Sequence, residues 1–182
     1  FIPQELLQHT QGAIDCVVRG EGEGSTPQLL EAFPDAALAT IPGVVTLNGM
    51  GPPPMLLDSL DHHFPARDLV RIRHRYFIGA LDPFASIEFT RGCPWDCSYC
   101  SNASVYGRNW KPLAPEQAVD EITELVRRYR LEMVDIIDDN YLVRRDRAVA
   151  IAEGLLNRGV TCQYYIQTRP DQVDRLSDEE LS

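Results

Sequence analysis

Ser86-Ile87-Glu88-Phe89-Thr90-Arg91-Gly92-Cys93-Pro94-Trp95-Asp96-Cys97-Ser98-Tyr99-Cys100 is the stretch that decides how this 182-residue chain folds. Residues 86–90 (SIEFT) read as a strand that runs straight into a loop with three cysteines at C-x3-C-x2-C spacing. At this cysteine frequency chance gives the spacing with a probability of about 0.004. Three thiolates on one tight loop can hold three corners of a cubic 4Fe–4S cluster, whereas ferredoxin-type sites supply a fourth cysteine to each cluster. Cys16 and Cys162 lie far off without partner spacing and read as buried small residues in strands. The simplest inference is an iron left without a protein ligand, open to a substrate or cofactor. Two other readings stay open. Structural zinc needs a fourth ligand, commonly a second Cys or His pair, and all four histidines (His9, His62, His63, His74) precede the loop without forming one. Unligated thiols are the third reading.

Downstream of the cysteines the rhythm is regular. A helix is predicted from Pro115 and Glu116 to Arg130, with Val119, Ile122, Leu125, Val126 and Tyr129 on one stripe. Its acidic first half and the closing Arg127, Arg128 and Arg130 suit the helix dipole. Residues 133–137 read as a buried strand ending in Asp138-Asp139-Asn140, residues 146–158 as a second amphipathic helix closed by Gly159, and residues 161–167 as a third strand. Strands alternating with helices mean βαβ units and a parallel sheet or barrel. Ser177-Asp178-Glu179-Glu180 is a capping-box signature, so a helix should begin there. At roughly 30 residues per βα unit, residues 86–182 hold about three strands of a barrel.

Upstream, residues 1–33 read as the tail of an α/β domain. They comprise a helix end at 2–9, a strand candidate at 13–19, a Gly20-Glu21-Gly22-Glu23-Gly24 turn and a helix with Ser25 or Thr26 as N-cap. Pro27 would take its first position, with Leu29, Leu30 and Phe33 as its apolar face. Residues 34–85 hold seven of the thirteen prolines, which excludes long helices and suggests an extended linker with short strands at 44–46 and 71–77. Arg71, Arg73 and Arg75 alternate with Ile72, His74 and Tyr76, a half-exposed strand with a solvated basic face before it is any phosphate clamp.

Composition bounds the functional classes. With 44% hydrophobic and 24% charged residues the chain is an ordinary folded one. Its net charge of −10 disfavours a nucleic-acid surface, and no apolar run is long enough to span a membrane. Lys111 is the sole lysine among 17 basic residues. The start, FIPQELLQHT, has neither a charged nor an apolar signal region. Clustered free cysteines then suggest a reducing, cytoplasmic setting. The missing initial Met and the late capping box suggest a piece of a longer chain.

The cysteine triplet with an aromatic before its last member resembles the radical S-adenosylmethionine (SAM) superfamily. The wider run, from Tyr76-Phe77-Ile78-Gly79 through residues 86–92 into the cysteines, is similar to its cobalamin-dependent subgroup. Within that subgroup the hopanoid methylases are most similar, and the anaerobic magnesium-protoporphyrin ester cyclases are near relatives.

The resemblance implies an α/β architecture in three parts. Residues 1–33 would end a flavodoxin-like cobalamin-binding domain, 34–85 a Pro-rich linker, and 86–182 the first half of a partial (βα)6 barrel. It implies Cys93, Cys97 and Cys100 as cluster ligands, SAM chelating the open iron, and reductive cleavage to a 5′-deoxyadenosyl radical that takes hydrogen from an unactivated carbon. Methylcobalamin would then donate a methyl group to a small-molecule or lipid substrate, with flavodoxin or ferredoxin as electron donor. Tyr99 stands where the family packs an aromatic near adenine, or is a plain loop-packing ring. Asp138 and Asp139 stand where relatives often place a Gly-Gly-Glu that receives the SAM amino group, or are a cap and a salt bridge. Gln167 and Arg169 are further SAM or substrate candidates. Trp95 and Trp110 read as structural or substrate-wall residues, and Glu21 and Glu23 as solvated turn residues before cobalamin contacts. The lower-ligand string Asp-x-His-x-x-Gly does not occur in this sequence, which leaves the cobalamin binding mode open. From a different class, an iron–sulfur electron-transfer module that never cleaves SAM remains the competing reading.

Overall fold

The computed structural model describes residues 2–34, 36–60, 65–69 and 84–181. They fall into two compact units, Phe1–Asp58 and Ser59–Ser182. The basic strand expected at 71–77 and the Tyr76–Gly79 run lie outside the described residues. No helix among the described residues is long and apolar enough to cross a membrane.

The second unit is built on a parallel sheet, as the alternation of strand and helix patterns requires. Its strands β4 (Phe84–Ile87), β7 (Met133–Ile136) and β8 (Gln163–Ile166) lie in that order, with Ile87 opposite Ile136 and Ile136 opposite Ile166. Helix α4 (Pro115–Tyr129) connects the first pair and α5 (Arg145–Asn157) the second. In α4 the residues Ala118, Val119, Ile122 and Leu125 are buried, while Val126 and Tyr129 of the expected stripe are only half-buried. The helix ends one residue early because Arg130 takes a left-handed conformation with φ +53°. Helix α5 lies close against α4 at Gly154, where an added Cβ would come within 2.7 Å of Val119 Cγ2. Ile87, Val134 and Ile136 of the strands and Ile122, Ile151 and Leu155 of the helices are all buried. Strand β8 is the exposed edge, with Tyr165 55% accessible.

The expected strand at 86–90 divides in two. Strand β4 ends at Ile87, and Thr90–Arg91 forms β5, paired antiparallel with β6 (Lys111–Pro112). The reason is tertiary. The amides of Phe89 and Thr90 turn away from the sheet to a buried carboxylate, that of Asp138. The short ribbon ties together both ends of the segment 92–110, which carries the cysteines and helix α3 (Asn102–Tyr106). The late helix foreseen from the capping box is α7 (Asp178–Leu181), preceded by α6 (Pro170–Val173).

The first unit differs more from expectation. Its sheet is antiparallel, β1 (Val17–Val18), β2 (Val44–Thr46) and β3 (Gly49–Met50), rather than the parallel unit of a flavodoxin-like domain. Residues of the expected linker supply two of its strands, the one foreseen at 44–46 and a second at Gly49–Met50. Leu38, Ile41 and Val44 form its core, with Cys16, Val18, Leu29 and Ala32 against them. Helix α1 spans Pro3–His9 as foreseen, whereas α2 (Gly22–Ala32) takes in most of the expected glycine turn and places Pro27 inside the helix. The expected cap fails because Ser25 is buried within α2 and its hydroxyl donates to Pro42 O at 2.6 Å. Glu21, read as a solvated turn residue, is buried, and its carboxylate accepts the Leu57 amide at 2.6 Å. Of the expected apolar face only Leu29 packs; Leu30 is 72% exposed and Phe33 50%. Cys16 and Cys162 are half-buried and each immediately precedes a strand rather than lying in one.

Two leucine-sized positions on α5 test this packing. Ile151 is 1% exposed and Leu156 76%. Ile151→Ala should cost about 2–5 kcal/mol of unfolding free energy, and Leu156→Ala at most about 0.5, in urea titrations followed by circular dichroism.

Candidate functional site

The cysteine loop starts at the C-terminal end of β4, the end at which barrel-like folds gather their chemistry. Gly92, immediately before Cys93, has φ +80°, and an added Cβ would lie 2.1 Å from Asn109 O. Only glycine fits there, because the two ends of the loop approach each other backbone to backbone. The Gly92 amide donates to Asp139 Oδ2 at 3.1 Å. Asp96 and Arg108 form an ion pair across the loop.

All three thiols are free, Cys93 and Cys97 half-buried and Cys100 exposed. The Cys100 amide donates to Cys97 O at 3.0 Å, folding the two cysteines into one turn. The Asn102 amide donates to Cys100 Sγ at 3.5 Å, and Arg169 Nη1 to Cys97 Sγ at 3.1 Å. Among the described residues, no three His, Cys, Asp or Glu side chains converge as they would around a single metal ion. A cubane differs in giving each thiolate its own iron, so its ligands need to share a loop rather than a point. Three soft, unpaired sulfurs on one segment, two of them already accepting N–H donors, are a donor set that fits such a cluster.

Asp138 is 1% exposed. Its Oδ1 accepts the amides of Phe89 at 2.7 Å and Thr90 at 2.9 Å. Burial pushes its carboxyl up to about 6, against the opposing pull of the two amides, the Thr90 hydroxyl and the Arg147 guanidinium. Arg147 is itself buried, donating from Nε to Leu113 O at 3.0 Å and from Nη2 to Phe89 O at 3.3 Å. Beside them the phenol of Tyr141 is pushed up to about 12, chiefly by burial. Asp138 thus fastens the last residues before the loop to the end of β7, and one step on Asp139 fastens Gly92. The first carboxylate is committed to backbone amides; the second is exposed apart from that bond.

The remaining candidates separate. Tyr99 is 91% exposed. Gln167 is exposed and enters through its carbonyl, which accepts the Tyr141 amide at 2.9 Å. Arg169 joins the cysteine loop directly, stacking its guanidinium 5.4 Å from the centroid of Trp95. The residues that sequence reasoning missed are Arg147 and the set Asn140, Thr168 and Gln172. The Thr168 hydroxyl donates to Asn140 Oδ1 at 2.9 Å, and Gln172 Nε2 to Leu142 O at 2.9 Å, so the ends of β7 and β8 are cross-linked. Arg147 left one signal: it occupies the same helical stripe as Ile151 and Leu155.

Two outcomes follow from this geometry. Gly92→Ala should displace the loop and lower bound iron after reconstitution, read by iron analysis, while the far-ultraviolet spectrum is kept. Asp138 binds its proton more tightly folded than unfolded. Its contribution to stability is therefore complete below about pH 4 and is lost as pH rises through about 6. Asp138→Asn should remove that component, on the order of 3 kcal/mol between pH 4 and 7, from the pH dependence of chemical unfolding.

The model of the Radical SAM superfamily matches residues 87–181. The chain is 44% identical over 176 residues to the hopanoid C-3 methylase of Methylococcus capsulatus, covering 96% of this chain and 33% of that protein. It is 28% identical over 180 residues to the anaerobic magnesium-protoporphyrin IX monomethyl ester cyclase of Rubrivivax gelatinosus, covering 92% and 31%. It thus spans about a third of the length of these curated relatives. Among solved structures, the cobalamin-dependent S-adenosylmethionine radical enzyme OxsB superposes with a TM-score of 0.69 at 18% identity, over 95% of this chain and 26% of that one. The radical S-adenosylmethionine methyltransferase TsrM of Kitasatospora setae, with cobalamin and a [4Fe-4S] cluster bound, gives 0.63 at 20% identity, over 98% and 36%. With the family's match beginning in β4 and running through the cysteine loop and all three parallel strands, the chain belongs to the radical SAM superfamily.

Proposed function

We propose that this chain carries the cluster-binding half of a cobalamin-dependent radical SAM methyltransferase acting on an unactivated carbon of a hopanoid-like lipid. The observation that carries the reading is the placement of three free thiols on one loop at the C-terminal end of the first parallel strand. The 44% identity to a hopanoid C-3 methylase supports the substrate class over the cyclase alternative, where identity is 28%. An iron–sulfur module without SAM chemistry is disfavoured by the three-thiol donor set, which leaves one iron for a small-molecule ligand.

When bound, the cluster supplies an electron and an open coordination site for reductive SAM cleavage, and cobalamin supplies the methyl group. The residues of this chain have simpler tasks. Cys93, Cys97 and Cys100 hold the cluster. Asp138 and Arg147 hold the loop's entry, and Gly92 lets its two ends close on each other. Asp139, exposed beside the loop, is the better placed of the two acidic residues to meet the SAM amino group, and Gln167 lines the same strand ends. Tyr99 is free to close over adenine. Residues 86–182 form the SAM half, and the unit ending at Asp58 the flank of the cobalamin-binding part. Electrons would come from a flavodoxin or ferredoxin in a reducing cytoplasm.

The test is the full-length protein, reconstituted anaerobically with iron, sulfide, SAM and a reductant. Cys97→Ser should lose cluster iron, its band near 400 nm and 5′-deoxyadenosine release, while Cys162→Ser and Cys16→Ser keep all three. One equivalent of zinc and no such band in the wild-type protein would overturn the reading. Methylation of a hopanoid, followed by mass spectrometry with labelled SAM, separates it from the cyclase alternative.

A further inference from the structure

Among the expected SAM or substrate contacts, Arg169 is the one whose side chain bonds a cysteine sulfur. It stands between β8 and α6, and its guanidinium is engaged on three sides. Nη1 donates to Cys97 Sγ at 3.1 Å, Nε donates to Asp171 Oδ1 at 2.9 Å, and Cζ lies over the Trp95 ring, 5.4 Å from its centroid. Two of the three partners belong to the cysteine loop; the third fixes the arginine to its own helix. The side chain is 35% exposed, so the contact with sulfur is partly shielded from solvent.

We propose that Arg169 is a positioning residue for the cluster that tunes its reduction potential through the Cys97 sulfur. The inference rests on the reading of Cys97 as a ligand and adds to it a residue that belongs to no cysteine motif. Reduction adds one negative charge, which the thiolate sulfurs share. A guanidinium donating to one of those sulfurs stabilises the reduced form more than the oxidised form and so raises the potential. Hydrogen bonds to the sulfurs, net charge and solvent exposure are the levers by which proteins set such potentials. Lysine would supply the same charge, but arginine also fixes the geometry. Its rigid fork serves the carboxylate and the sulfur at once, and its guanidinium lies over the indole. Asp171 sets the direction of the fork, and Trp95, two residues before Cys97, makes the stack part of the loop's own geometry. With these partners the guanidinium is already committed, which distinguishes it from a residue waiting for a carboxylate of SAM or substrate.

The test compares wild type, Arg169→Met and Arg169→Lys of the full-length protein after anaerobic reconstitution with iron and sulfide. Iron content and the midpoint potential, by electron paramagnetic resonance during a redox titration, are read without SAM or substrate. Arg169→Met should keep its iron and shift the equilibrium about tenfold toward the oxidised form, which is about 59 mV more negative for one electron. Arg169→Lys should recover most of that shift, since the charge remains within reach of the sulfur. An unchanged potential in Arg169→Met at wild-type iron content overturns the inference, as does iron loss in Arg169→Met that Arg169→Lys leaves unrepaired. Wild-type protein that takes up no cluster overturns the reading of Cys97 beneath it.

Discussion

A single carboxylate oxygen, Asp138 Oδ1, accepts the amides of two consecutive residues, Phe89 and Thr90, in the interior of the larger unit. Hydrogen bonds to a charged acceptor contribute about 1.5–3 kcal/mol each, enough to outweigh further pairing of those amides in the sheet. That choice ends β4 at Ile87 and sends the chain out as a ribbon, and the ribbon closes the ends of the cysteine loop. Arg147 completes the arrangement from the helix side by donating to Phe89 O and Leu113 O, the carbonyls flanking the two arms of the ribbon. Burying a carboxylate and a guanidinium is unfavourable in itself. The arrangement gives the departing amides of Phe89 and Thr90 an acceptor, although Asp138 Oδ2 and Arg147 Nη1 are themselves buried without a hydrogen-bond partner among the described residues.

How far this was legible in the sequence depends on the range over which each signal acts. The α4 stripe and the three parallel strands were readable because their periodicity is local. So was the cysteine spacing, which is a property of one loop. Ser25 failed as a cap because Pro42 O, seventeen residues away, takes its hydroxyl. Strands were expected at 13–19 and 44–46, but their antiparallel pairing went unseen because strands of two or three residues carry no pattern that says which partner they take. Proline density excluded long helices there, and the short strands satisfy that constraint as well as a linker does. Arg147 was hidden by its type, since an arginine among polar neighbours reads as surface unless its helical phase is followed. Asp138 and Asp139 were expected after β7, where they lie, but the sequence offered nothing to separate the two. The residue of the pair that is buried serves the backbone, and the one that is exposed remains available to a ligand.

Strand ends gather the site in the same manner. Asn140, Thr168 and Gln172 bind the end of β7 to the end of β8, while Asp138 and Asp139 bind the end of β7 to the departure from β4. Three successive strand ends therefore converge on one rim, held to one another by polar side chains. Arg169 extends that rim onto the loop itself, and the stack with Trp95 is the point at which the last strand and the cysteine segment meet.

The bonds that fix the ends of the segment 92–110 all come from oxygen and nitrogen groups of the scaffold. No sulfur takes part in them. In a zinc finger, by contrast, the metal ligands themselves hold the chain ends together. Here the supports at the mouth of the loop and the sulfurs along it are separate sets of atoms. A thiol exchanged for a hydroxyl would therefore alter what the loop can bind while leaving every one of those end bonds in place.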